Sequence, residues 1–120
     1  MKGEQVPLVM VPRFTTLVGA GEFATAPLDV QRFARVVLTV WRGYLLGTSP
    51  TFHLYLEVSH DAPTDAADWV QLDDLTLNDD QAATIDHSLT RRWLRVRVVL
   101  GGTNPWVTCW ASGGLDLRLT

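Results

Sequence analysis

Thr51-Phe52-His53-Leu54-Tyr55-Leu56-Glu57-Val58-Ser59 is the stretch on which the reading of the fold turns. Phe52, Leu54, Leu56 and Val58 fall on one side of an extended chain; His53, Tyr55, Glu57 and Ser59 fall on the other. Side chains alternate between the faces of a β-strand, so this period of two predicts a half-buried strand of an antiparallel sheet. Residues 93–100 repeat the pattern. Leu94, Val96, Val98 and Leu100 take the inner side, and Trp93, Arg95, Arg97 and Val99 the outer.

Working outward from these two stretches, the chain reads as strand after strand. Downstream, Gly101-Gly102-Thr103-Asn104-Pro105 predicts a turn, residues 106–111 a strand, Gly113-Gly114 a second turn, and residues 115–119 a closing strand. Between the two stretches, residues 69–72 resume a strand that Leu75 and Leu77 prolong. Asn78-Asp79-Asp80 then turns the chain into a further strand over 81–87. Upstream, residues 34–41 are the richest in β-branched residues, residues 14–18 and 22–25 read as shorter strands, and residues 28–33 as one helical turn or a tight connection. About eight strands result, with no helix of ten residues or more. Such strands need a second layer to cover their apolar faces, so the expected fold is all-β: an antiparallel two-sheet sandwich, jelly-roll-like.

At 120 residues the chain has the length of one domain, and its 47% hydrophobic content suffices for a core without disulfides or metal. Residues 1–13 read as an extended N-terminal arm and residues 14–120 as the domain. Pro7 and Pro12 remove backbone donors, yet Val6, Leu8, Val9, Met10 and Val11 are apolar, which a solvated tail would not be. The arm therefore either packs on its own domain as an edge strand or lies across a neighbour.

Composition narrows the function classes. The net charge of −3 argues against nucleic acid as the main partner. No stretch reaches the roughly 18 apolar residues of a membrane span, and the proline-broken N-terminal run is too short for a signal peptide. The expected partners thus include neither nucleic acid nor membrane. Charged residues make up 19%, below the usual quarter or so, as fits a surface partly covered by another subunit. The single cysteine, Cys109, sits in an apolar run and reads as a buried, inert thiol.

Catalytic patterns are missing from the sequence. His53, His60 and His87 have no metal-ligand spacing, Ser49, Ser59, Ser88 and Ser112 have no nucleophile context, and Gly19-Ala20-Gly21 is only a fragment of a dinucleotide fingerprint. Asp61, Asp65, Asp68, Asp73, Asp74, Asp79 and Asp80 cluster, but without the spacing of a calcium loop, and turn and solvation roles account for them. The expectation is a protein that is not an enzyme and holds no cofactor or metal.

Five tryptophans, at 41, 69, 93, 106 and 110, exceed what a sandwich core requires. Trp93 falls on the outer face with Arg95 and Arg97, the composition of a binding hot spot, unless it packs beneath a neighbouring loop. The candidate interface is therefore Val6, Leu8, Val9, Met10, Val11, Trp93, Arg95 and Arg97. Aromatic platforms also bind sugars.

The run from Leu54 to Asp61, a loop, and then Trp69-Val70-Gln71-Leu72 resembles a strand, Ser-x-Asp, loop, Trp motif of β-sandwich modules. Discoidin-like and carbohydrate-binding jelly rolls carry it, as do small virion proteins of tailed bacteriophages, including capsid decoration proteins. The order of arm, Ala26-Pro27-Leu28-Asp29-Val30, the strand over 34–41 and this hairpin is similar to the phage group, over residues 7 to 75. The loop is longer here and lacks the customary glycine. The resemblance implies a non-enzymatic virion structural protein, made in the host cytoplasm. It would stabilise a capsid by binding copies of itself, a trimer being one arrangement, and the major capsid protein. The alternative it carries is a carbohydrate-binding module of a tail or adhesin.

Overall fold

The computed structural model describes residues 5–60 and 68–118. Residues 1–4 of the expected arm, Asp61, Asp65 and residue 119, which enter the sequence readings above, lie outside them. The chain is all-β and antiparallel: β1 (Gln5–Val18), β2 (Gly21–Ala24), β3 (Leu28–Asp29), β4 (Phe33–Arg42), β5 (Leu46–Ser59), β6 (Val70–Leu75), β7 (Gln81–Ser88) and β8 (Trp93–Leu117). Among the described residues no helix is long and apolar enough to cross a membrane.

β8, 25 residues long, organises the sheet. Along one side it pairs successively with β3 (Asp29 opposite Trp93), β2 (Ala24 opposite Arg97) and β1, from Val18 opposite Trp106 to Gln5 opposite Asp116. Along the other it pairs with β5, from Ser59 opposite Trp93 to Leu46 opposite Trp106, and then with β4, from Arg42 opposite Cys109 to Phe33 opposite Leu117. β6 extends the sheet beyond β5, and β7 beyond β4. The first half of β8 thus belongs to one layer and its second half to another.

The alternation seen in the sequence determines how the layers meet. Phe52, Leu54, Leu56 and Val58 stand opposite Leu100, Val98, Val96 and Leu94 in register, and all eight are buried. In the second layer Val36, Leu38 and Val40 are buried beside Ala111 and Leu115. The two inner faces share a single apolar core. Where β6 and β7 come together, Asp73 Oδ2 and His87 Nε2 lie 2.7 Å apart and link the edges of the two layers.

Residues 93–117 form one strand, where the sequence predicted three. At its middle, Gly102-Thr103-Asn104-Pro105 faces Gly47-Thr48-Ser49-Pro50 of β5, with Thr48 paired to Thr103. The same four-residue pattern occurs on both strands with the same backbone signs: Gly47 and Gly102 at φ 127° and 102°, and Ser49 and Asn104 both at 50°. Positive φ at two alternate residues kinks an extended chain without reversing it. Each glycine lies against the partner motif, and a Cβ on Gly102 would come within 2.7 Å of the Ser49 carbonyl oxygen. Here both strands carry the sheet from one layer into the other. Gly113-Gly114 is likewise no turn, because at Gly113 the adjacent β4 passes so close that a Cβ would overlap the Val37 carbonyl.

The expected boundary between an arm of residues 1–13 and a domain from residue 14 falls inside β1. Residues 5–11 pair with β8 exactly as residues 15–18 do, apart from bulges between Val9 and Val11 and between Val11 and Thr15. Pro7 and Pro12 are accommodated because, among the described residues, β1 is an edge strand with no partner on its far side.

Candidate binding surfaces

Two surfaces concentrate exposed apolar and aromatic side chains, and both follow from strand pairing. The first lies along β1. The bulge between Val11 and Thr15 pushes Pro12, Arg13 and Phe14 out of the ladder, leaving Phe14 at φ 64° and 87% exposed. A positive φ is unusual for an aromatic residue. Val9 on the same strand is 63% exposed. Beside them the layers part. Met10, Val11, Pro12 and Leu17 of β1 face Phe23 and Val98 across an apolar cleft of about 160 Å³. The cleft continues past Met10 and Thr25 toward Leu8, Pro27 and Leu28.

The second surface is a transverse groove on the outside of the second layer. Paired residues share a face, so register alone places three rows side by side. One row is Trp110 of β8 with Trp41 of β4, and Arg13 of β1 lies over the Trp110 ring at 4.9 Å. The next row is Thr16, Thr108 and Gly43, held by a 2.9 Å hydrogen bond between the threonine hydroxyls and by the Gly43 N–H donating to the Thr108 carbonyl at 2.8 Å. The third is Val18, Trp106 and Leu46. The middle row is small and the outer rows are large, which makes a groove of about 410 Å³. It is floored by Gly43 and Thr108 and walled by Trp41 on one side and Trp106 and Leu46 on the other, with Tyr44 and Asp80 at its end.

The walls are held in place. The Trp41 and Trp110 rings stack at 6.4 Å between centroids with 19° between planes. Trp41 Nε1–H donates to Asp80 Oδ1 at 3.1 Å, which fixes its rotamer. Trp106 remains 46% exposed and Tyr44 66%.

The residues singled out in the sequence are not brought together. Leu8, Met10 and Val11 are core residues, because β1 is a strand of its own domain; Val6 is partly buried and only Val9 is open. Trp93, Arg95 and Arg97 sit on the outside of the other layer. There the buried Glu57 carboxylate accepts from Arg95 Nε at 2.8 Å and from Arg97 Nε at 3.1 Å. Arg97 Nη1 reaches Glu22 at 2.7 Å, Arg95 covers the Trp69 ring at 4.3 Å, and Arg92 covers Trp93 at 5.1 Å. These arginines are engaged within the chain. The groove was not foreseen; its signal in the sequence is the spacing of Trp106 and Trp110 around the small Thr108.

Asp79 is paired as well. It accepts from Leu45 N–H at 3.0 Å and from Arg42 Nη1 at 2.6 Å, and these bonds hold its carboxyl below the usual carboxylate range. Burial pushes the Cys109 thiol up to about 11. Among the described residues no group of three or more His, Cys, Asp or Glu side chains is placed to hold a metal ion.

No family model matches the sequence, and no curated protein matches it. Among solved structures, the chain is similar to one from Bacillus endospore appendages, which form disulfide-linked pili. Identity is 11% and the TM-score 0.41, over 98% of this chain and 87% of that one. A likeness of that degree carries no argument about function.

Proposed function

We propose that the chain is a non-enzymatic structural protein of a virion, a capsid decoration or stabilising subunit. It docks through the β1 edge onto copies of itself and onto the major capsid protein. The observation that carries this reading is the outward Phe14, held in the bulge between Val11 and Thr15, whose flanking residues Pro12 and Thr15 line an apolar cleft. A solitary exposed apolar side chain is ordinary, but a cluster along a cleft is the composition of a protein contact. Pro7 and Pro12 interrupt the backbone donors of the edge, so docking relies on side chains more than on strand addition. The non-enzymatic part rests on where the ionisable groups point: Glu57 to two arginines, Asp73 to His87, and Asp79 to Arg42.

Light scattering on the purified chain, with mass spectrometry of particles purified from the host that encodes it, tests the reading. The expected result is a self-associated chain present in particles, and a Phe14→Asp variant that keeps the β-sheet circular dichroism but is monomeric and missing from particles. A wild-type chain that stays monomeric at high concentration and is absent from particles overturns it.

A further inference from the structure

We propose that the transverse groove binds a small quaternary ammonium compound, of which choline is the type. The site is separate from the β1 edge and does not depend on what docks there.

Four of the tryptophan and tyrosine rings are covered by cations of the chain itself. Arg95 lies over Trp69, Arg92 over Trp93, Arg13 over Trp110 and Arg97 over Tyr55, at 4.3 to 5.1 Å from the ring centroids. Trp41, Tyr44 and Trp106 have no such arginine among the described residues, and all three line the groove. The face of an aromatic ring attracts a cation within about 6 Å of its centroid. Trp41 leans across the floor, since a Cβ on Gly43 would come within 3.0 Å of Trp41 Cη2. Gly43 belongs to the middle row, and the Trp106 row lies two residues further along β8, about 7 Å at the rise of a strand. A cation seated between them is in reach of both rings.

The charge of the groove has the matching sign. Asp80 lies in its lining, where one oxygen accepts from Trp41 Nε1–H. Asp80 forms no ion pair among the described residues, whereas its neighbour Asp79 is paired with Arg42. The lining contains no arginine, and Arg13 lies one row away over Trp110. The polar floor decides between kinds of ammonium. The Thr108 hydroxyl is bonded to that of Thr16, and the Thr108 carbonyl accepts from the Gly43 N–H. A primary ammonium brings three donors into a floor whose polar groups are already engaged, while a quaternary ammonium brings none. At Thr108, β8 is paired to β1 on one side and bonded to Gly43 on the other, so the floor presents no open strand edge to a peptide main chain. The occupant is therefore a free small cation rather than a methylated side chain of a protein.

Intrinsic tryptophan fluorescence, titrated with choline chloride in exchange for sodium chloride at fixed ionic strength, tests the assignment. Ethanolamine, the primary-ammonium analogue, and neohexanol, in which carbon replaces the ammonium nitrogen, are titrated alongside, as is a peptide carrying one trimethyllysine. Choline is expected to bind saturably, ethanolamine and neohexanol roughly tenfold more weakly, and the peptide no more tightly than choline. Trp106→Ala removes a half-exposed wall outside the core and is expected to weaken choline binding roughly fivefold, the equivalent of one cation–π contact. Asp80→Asn keeps an acceptor for Trp41 Nε1–H and a side chain that tolerates the φ of 51° at this position, so the wall stays while the charge goes. It is also expected to weaken binding roughly fivefold. Both variants are expected to keep the β-sheet circular dichroism of the parent. Phe14→Asp, which tests the β1 edge, is expected to bind choline as the parent does, so the two readings fail separately. No saturable choline binding, ethanolamine or neohexanol binding as tightly as choline, the peptide binding more tightly, or affinity unchanged in Trp106→Ala or in Asp80→Asn overturns the proposal.

Discussion

Asp29, Asp79 and Asp86 are exposed carboxylates whose partners favour the charged form. Asp29 accepts from the Gln31 N–H and from Arg92, Asp79 from the Leu45 N–H and Arg42, and Asp86 from Arg35. Each is held below its ordinary value of 3.8 in the folded chain. A group whose pKa is depressed by folding stabilises the fold above its unfolded pKa, and that contribution disappears as pH falls through the folded value. The melting temperature is therefore expected to be flat on the acid side of neutrality down to about pH 5 and to fall below about pH 4. Asp79→Asn is expected to lower the plateau and soften that fall, as scanning calorimetry across the acid range would show; an unchanged slope would count against the Arg42 and Leu45 bonds as its source. At this scale the sequence was least informative. It shows Glu57, Arg95 and Arg97 all on outward positions. Whether they pair depends on Glu57 standing opposite Arg95, a register that no local pattern encodes.

The most telling element is the crossing of β5 and β8. Gly47-Thr48-Ser49-Pro50 and Gly102-Thr103-Asn104-Pro105 kink in the same way, and each glycine fills the space left by the other motif. Gly102→Ala puts a Cβ at positive φ and against the Ser49 carbonyl, so it is expected to cost about 3 kcal/mol in urea unfolding. Thr103→Ser at the neighbouring exposed position is expected to stay within about 0.5 kcal/mol. Equal stability of the two variants would refute the close approach. The crossing also explains what was legible. Alternation in β5 and in the first half of β8 named the correct inner faces, because packing imposes it residue by residue. Gly, Asn and Pro, however, are the residues of both turns and bulges, so the segment read as a reversal and one strand was divided into three. The same ambiguity at Pro7 and Pro12 left two readings open for the first thirteen residues, an edge strand or an arm across a neighbour, and residues 5–11 take the first.

Across the molecule, β8 is hydrogen-bonded on both sides over most of its length, while β6 and β7 are edges of their layers. Backbone amides flanked on both sides open only when the layers separate, so amides of residues 94–100 and 107–112 are expected to exchange slowest. Those of β6, linked to β7 by the Asp73–His87 contact, should exchange faster by at least tenfold. Hydrogen-exchange mass spectrometry compares them directly, and equal protection would refute a scaffold centred on β8. The two sides of the sandwich differ accordingly. The β6–β7 side is closed by a polar link, whereas the β1 side stays parted and apolar, with Pro12 and Thr15, the residues that flank the Phe14 bulge, in its lining.

Five strands, β1 to β5, share one partner that follows all of them in chain order. On the ribosome, β1, β2 and β3 emerge with nothing to pair with, and β4 and β5 with only their β7 and β6 neighbours, until residues 93–117 have left the exit tunnel. Nearly every contact then closes over a long separation along the chain, which makes for slow folding. Nascent copies produced close together will be prone to capture one another's final strand, so yield on expression is expected to depend on chaperone supply and on slow translation.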